Sequence, residues 1–402
     1  MSRQSTALRR SLSLLWSLLC LLPPVAGAQG MEHMHSAGAA HEPALGASAA
    51  FDARGRLWLV SVRDGHVRAQ YSDDLGKTLS EPVTVNPLAE AIYDEGENRP
   101  KVAIGPHGQI YVTWSHPLAK PYTGYVRFAR SLDGGKRFST PVTVHHDLAP
   151  ITHRFDALAV SGNGDVVVAW IDGRDEVAAK AAGTPYLGKA TWYTWSHDEG
   201  ATFAPERKLM DRSCECCRIA LARAPDGGVA ALFRGVYGDN LRDHAIAVLH
   251  TDGRPADPAR ATFNDWQIAA CPHQGPGLAI GADRVRHGVW FEASQGPAVW
   301  YGQLDPGHTP RHTLKLGGAG ASHADVAAQG KTVWVTWNQV GAGGYTLMLR
   351  VSHDGGVRFD PARAIATSKD AVGSPQLLLH DGAAYVAWNT AGGFRLVPAG
   401  SP

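Results

Sequence analysis

The chain has 402 residues, with 38 Lys+Arg against 37 Asp+Glu and a formal net charge of +1. That balance argues against a nucleic-acid binder or a polybasic membrane clamp, both of which carry excess cation. Gly 45, Pro 25 and Trp 12 point to many short strands and tight turns, and a chain this long needs either two cores or one repetitive architecture.

The N-terminus reads as an export signal. Arg3, Arg9 and Arg10 precede the apolar run from Leu12 to Leu22, and Ala26-Gly27-Ala28 offers small residues for cleavage after Ala28. A lipid anchor at Cys20 is disfavoured by the bulky Leu18-Leu19 before it. The expected organisation is a signal peptide over 1–28, a leader over 29–45 and one domain over 46–402, secreted or periplasmic. Beyond the signal no apolar run is long enough to span a membrane. The leader carries Met31-Glu32-His33-Met34-His35 and His41. It is either a flexible polar lead-in or an accessory copper-collecting tail through His33, Met34 and His35, since thioether and imidazole suit that metal.

From there one pattern recurs seven times: a short strand, a Gly-containing turn, and a second strand often ending in Trp. The second strands are expected at Arg56–Val62, Gln109–Trp114, Asp165–Trp170, Gly228–Phe233, His287–Phe291, Thr332–Trp337 and Ala384–Trp388. Equivalent points at Arg99, Arg154, Arg218, Gly275, His323 and Pro375 lie 55, 64, 57, 48 and 52 residues apart. A period near 50 with about four strands per unit indicates propeller blades. The last unit lacks a fourth strand, and the segment near His41–Ala50 is expected to supply it and close the ring.

Four third strands run into a shared turn, beginning at Ser72-Asp73-Asp74, Ser131-Leu132-Asp133, Ser196-His197-Asp198 and Ser352-His353-Asp354. In each, Asp accepts backbone N–H bonds, Gly takes the tight geometry, and Leu or Phe anchors the end. Worn copies stand at Thr251-Asp252-Gly253 and Leu304-Asp305-Pro306-Gly307. This turn resembles the Asp-box of the sialidase superfamily, over about residues 45–398. Asn98-Arg99-Pro100-Lys101 and His153-Arg154-Phe155-Asp156-Ala157 also resemble stretches of secreted bacterial exo-alpha-sialidase-like proteins. The fold expected is thus an all-β, sialidase-like β-propeller. The resemblance implies six blades, whereas the repeat count gives seven, the number preferred here.

Loops entering first strands converge on one face of a propeller, joined by those between second and third strands; the Asp turns belong on the opposite face. Two chemistries could use that mouth. The sialidase resemblance implies three arginines holding a sugar carboxylate, a Tyr nucleophile activated by Glu, and an Asp acid/base. Arg99, Arg154 and Arg218 would be the cations, with Tyr186 or Tyr237, Glu176 and Asp156 in the other roles. The family's Phe/Tyr-Arg-Ile/Leu-Pro signature is missing, and no Tyr–Glu pair is assigned by motif.

The second chemistry is thiol-based. Cys214, Cys216 and Cys217 fall within four residues, and Cys271 enters from the next blade beside His273. In an oxidising compartment these could form the pairs Cys214–Cys217 and Cys216–Cys271. Alternatively the four cysteines with His273 form a thiolate-rich site for copper or zinc. His153, His244 and His323 would then be accessory. The leading expectation is an exported propeller that binds or handles copper. An exo-acting glycosidase, and a protein-docking propeller with structural disulfides, are the alternatives. The partners expected are a metal ion or small molecule at the mouth, and in the docking reading a periplasmic protein.

Overall fold

Alternating and fully apolar strand runs, each bounded by Gly turns, need neighbours on both faces, and stacked antiparallel sheets provide them. The computed structural model describes residues 45–400. In chain order the first sheet comprises β1 (Ser48–Phe51), β2 (Leu57–Arg63), β3 (His66–Ser72) and β4 (Val83–Thr84), and the second β5 (Lys101–Ile104), β6 (Ile110–Pro117), β7 (Gly124–Ser131) and β8 (Val142–Thr143). The third has β9 (His153–Val160), β10 (Val166–Asp172), helix α1 (Arg174–Ala181), β11 (Lys189–Ser196) and β12 (Arg207–Ser213). The fourth has β13 (Ala220–Arg223), β14 (Val229–Arg234), β15 (His244–Leu249) and β16 (Ala259–Arg260); the fifth β17 (Gly277–Ile280), β18 (Arg286–Glu292), β19 (Ala298–Gln303) and β20 (Arg311–Gly317). The sixth has β21 (Ala321–Gln329), β22 (Thr332–Gly341), β23 (Gly344–Ser352) and β24 (Arg363–Ser368); the seventh β25 (Gln376–His380), β26 (Ala383–Thr390) and β27 (Gly393–Gly400). Every expected second strand is present, running one to four residues further than the apolar pattern.

Seven blades, not six, make the ring. Seven separate apolar clusters are buried, one in each seam between consecutive blades, the last joining Ala47, Ala49, Leu57 and Leu59 to Ala387. A central channel of about 250 Å³ is lined from every innermost strand: Ser48, Lys101, Ala157, Leu221, Gly277, Asp325 and Gln376.

The expected closing strand is not what closes the ring. Ser48–Phe51 is the innermost strand of the first blade, pairing with Leu57–Val60, and the seventh blade stays three-stranded among the described residues. Residues 41–44 lie outside the described residues. A side-chain clasp does the joining. Ala49 N donates to Gln376 Oε1 at 3.1 Å and Gln376 Nε2 returns a bond to Ala49 O at 3.0 Å. Phe51 stacks on His380 with ring centroids 4.5 Å apart. A four-residue apolar edge suits an inner or an outer position equally, and its pairing with β2 decides for the inner one.

The four Ser-x-Asp-x-Gly turns explain their own sequence. Ser72 Oγ donates to Asp74 Oδ1 at 2.7 Å and accepts Gly76 N at 2.8 Å, while Asp74 accepts Thr78 N at 2.9 Å. The Thr78 N–H leads the groups that hold the Asp74 carboxyl at about 2. Glycine is required twice over. Gly200 has φ +81°, and a Cβ there would stand 2.4 Å from Phe128 of the preceding blade. The turns therefore latch blade to blade. They connect third to fourth strands, on the face opposite the loops that enter first strands.

Candidate metal centre

The link from β12 to β13 carries Cys214, Cys216 and Cys217 down into the seam between the third and fourth blades. Cys214 N donates to Arg234 O at the end of β14, 2.8 Å away. All three cysteines are buried, among Phe155, Ile219 and Phe233. The link from β16 to β17 brings Cys271, half-buried, and His273, exposed, to the same place. The thiols are free. Cys214 Sγ lies 3.2 Å from Cys217 Sγ and 3.9 Å from Cys216 Sγ. Two ligand triangles result, Cys214–Cys216–Cys217 and Cys216–Cys271–His273, each with its atoms within 4.8 Å of one another. Cys216 belongs to both.

The electrostatics single out one sulfur. Hydrogen bonds from the Cys216, Cys217 and Cys271 thiols, with the Arg234 guanidinium nearby, pull the Cys214 thiol well below its ordinary value, against the opposing effect of burial. The contacts with Cys214, Cys217 and Cys271 push Cys216 up, and burial does the same for Cys217. The bond to Cys214 raises Cys271 to about 12. Cys214 is thus the sulfur whose neighbours most favour the ionised form. Arg234 is almost wholly buried and supplies the compensating charge. It donates through Nη2 to Gln274 O at 3.0 Å and Phe291 O at 2.8 Å, while its Nε and Nη1 have no hydrogen-bond partner.

His244 is fixed by a relay. Thr262 Oγ1 donates to Asp243 Oδ1 at 2.9 Å, so it must accept from His244 N at 2.8 Å and from Nδ1 at 3.3 Å. That assignment puts the ring proton on Nδ1 and leaves Nε2 as a lone pair with no partner. Burial, then the charge of Arg234, holds this imidazole neutral. It sits in the electrostatic field of both Cys214 and Arg234.

Glu97 is the residue the sequence reading missed. Its buried carboxylate accepts from Arg218 N at 3.2 Å, Arg218 Nη1 at 3.3 Å, Gly275 N at 2.7 Å and His323 Nδ1 at 2.9 Å. It therefore holds the residue after Cys217 and the residue two past His273 with one side chain. Burial pushes this carboxyl up, but Arg218 and His323 outweigh it and leave it at about 2. Only its position beside Asn98-Arg99 could have drawn notice, and no pattern in the chain pairs it with residues 121 and 178 positions away.

The residues named for glycoside chemistry are dispersed. Arg99 and Arg218 line the channel, with Arg99 Nη1 on Ser374 O at 2.6 Å and Arg218 Nε on Pro276 O at 2.9 Å. Arg154 instead lies over the Tyr93 ring at 4.3 Å. Asp156 accepts from Thr113 Oγ1 at 2.7 Å and Ser115 Oγ at 2.8 Å, pinning β9 to β6. Glu176 pairs with Lys189, and the Tyr186 hydroxyl donates to Asp211 O; both line a shallow cavity beside α1. Tyr237 lies under Arg260, 5.0 Å from ring to guanidinium. Of the accessory histidines, His153 stacks on His145 at 3.9 Å and faces Asp172, and His323 serves the Glu97 clamp. His33, Met34 and His35 lie outside the described residues.

No family model and no curated protein matches the chain. Solved structures do. The polysaccharide lyase Uly1 is 12% identical with a TM-score of 0.58, covering 93% of this chain and 94% of its own. A PL25 ulvan lyase bound to a GlcA–Rha3S saccharide is 10% identical with a TM-score of 0.56, covering 88% and 91%. The Hadza microbial sialidase Hz136 is 15% identical with a TM-score of 0.47, covering 83% and 73%. The likeness is one of fold. It is the β-propeller that the repeats foretold, and fold alone assigns no activity.

Proposed function

We propose that this is an exported protein that binds a soft metal ion, copper foremost, in the thiol cluster at the mouth of its propeller. The observation that carries the reading is the sharing of Cys216 between two ligand triangles, one of three buried sulfurs and one of two sulfurs and an imidazole. Thiolate donors select Cu(I) or zinc over hard ions. Copper(I) is favoured because burial and a single adjacent cation, Arg234, suit an ion of low charge. The Met/His leader adds donors of the same softness, and residues 1–28 read as the export signal.

The test uses reduced, metal-free protein titrated with Cu(I) against a chromogenic chelator, and separately with zinc. One tightly held Cu(I), lost in a Cys216→Ser, Cys271→Ser variant, is expected. Protein whose four cluster thiols are free and which retains neither metal would overturn the reading.

A further inference from the structure

We propose that the cluster is divided in labour: Cys214 and Cys217 form an electron-donating dithiol, while Cys216, Cys271 and His273 form the seat where a cupric ion is received, reduced and held as Cu(I). This rests on the soft-metal reading and adds an activity to it, the reduction of Cu(II).

The two triangles differ in the way such a division requires. Cys214 and Cys217 are spaced Cys-x-x-Cys, and their sulfurs are already 3.2 Å apart. Closing to a bond of about 2.0 Å is a small local movement. Their residues are only 1% and 2% exposed, so bulky oxidants cannot reach them. The other triangle opens outward, with Cys271 half-buried and His273 exposed. An imidazole with sulfur receives Cu(II), and the sulfur-rich set then favours the reduced ion. Cys216 is the junction, its sulfur 3.9 Å from that of Cys214, so an electron leaving the buried pair crosses one sulfur contact to the seat.

The step balances with cupric ion as the oxidant. The Cys214 and Cys217 thiols together lose two electrons and two protons as the S–S bond forms, and two Cu(II) each gain one electron. The first electron leaves a radical shared between the paired sulfurs. The second Cu(II), exchanging into the seat, takes the remaining electron as the bond closes. Both protons pass to solvent. One Cu(I) stays on Cys216, Cys271 and His273, and the other is released. Cys216 and Cys271 remain reduced, which distinguishes this chemistry from indiscriminate thiol oxidation by copper.

The experiment mixes reduced, metal-free protein anaerobically with two equivalents of a cupric salt. Expected are loss of the Cu(II) paramagnetic signal, two Cu(I) per protein by chelator assay, disappearance of two thiols, and a cross-linked Cys214–Cys217 peptide by mass spectrometry. A Cys217→Ala variant should lose the reduction, while the unaltered reduced chain binds Cu(I) supplied directly. Peptide mapping of the unaltered chain keeps the test decisive even if that variant does not fold. A cross-link through Cys216 or Cys271, or undiminished reduction by Cys217→Ala, overturns the division. Tight binding of supplied Cu(I) without reduction sinks this inference alone, whereas failure to bind supplied Cu(I) sinks the soft-metal reading itself.

Discussion

The seam between the third and fourth blades and the seam between the seventh and first solve the same problem with unequal means. The first buries eighteen residues in one cluster, three of them cysteines. The second buries five, only Ala387 coming from the seventh blade, and relies on Gln376 and a Phe51–His380 stack to join the ends of the described chain. Apolar area in the cysteine seam does not depend on the sulfurs, because Phe155, Trp195, Ile219 and Phe233 surround them. A thiol cluster can therefore occupy the seam richer in apolar contacts, while the poorer seam leans on a polar clasp and a ring stack.

Removing the cluster's shared and outward sulfurs should have the largest effect. Cys216→Ser with Cys271→Ser is expected to abolish Cu(I) retention while the protein remains folded by far-UV circular dichroism. Unfolding of this variant would show that the strong seam needs its cysteines after all.

Loosening the clamp comes next. Glu97→Gln keeps the shape but loses the charge that Arg218 and His323 meet, so metal affinity should fall by about 10–100-fold, the scale for groups that orient ligands. The sign of the pH effect follows from a folded-state value lowered from 4.5 to about 2. Its contribution to stability is present above the unfolded value and disappears as pH falls from about 4.5 towards 2. Glu97→Gln should flatten the acid limb of an unfolding curve in that window, and an unchanged limb would deny the carboxylate this role.

At the weak seam, Gln376→Ala strands the N–H and C=O of Ala49, a fully buried residue. The cost should be about 1–3 kcal/mol by denaturant unfolding, the usual range for an unsatisfied buried polar group. Amide exchange should rise in the first and seventh blades and stay slow in the third and fourth. Uniform acceleration around the ring would mean that the seams are equivalent.

The smallest effect belongs to the exposed turns. Asp74→Asn keeps an acceptor for Thr78 N but removes its charge, and the thermal midpoint should fall only slightly at neutral pH. The difference from the parent should vanish below pH 2, because the lowered carboxyl contributes only while ionised. A persistent difference at that pH would point to shape rather than charge.

What the sequence determined by itself was whatever short-range physics writes into short stretches. Strand period, Gly punctuation and Ser-x-Asp-x-Gly bonding act over four to eight residues, so blade number, second strands and turns were readable, as was the crowding of Cys214, Cys216 and Cys217. The meeting of Cys216 with Cys271 followed from adjacent blades, since neighbouring first strands must have neighbouring entry loops. Helix α1 was hidden in a loop whose eight residues bury none of their side chains and so carry no apolar stripe. Tertiary structure alone decided the rest. It sent Arg154 over an aromatic ring rather than into the channel with Arg99 and Arg218, placed Glu97 across two cysteine loops, and turned the expected closing strand into an inner one. Each of those outcomes depends on which distant carbonyl, carboxylate or ring satisfies a buried polar group once seven blades are packed, and that pairing has no local signature.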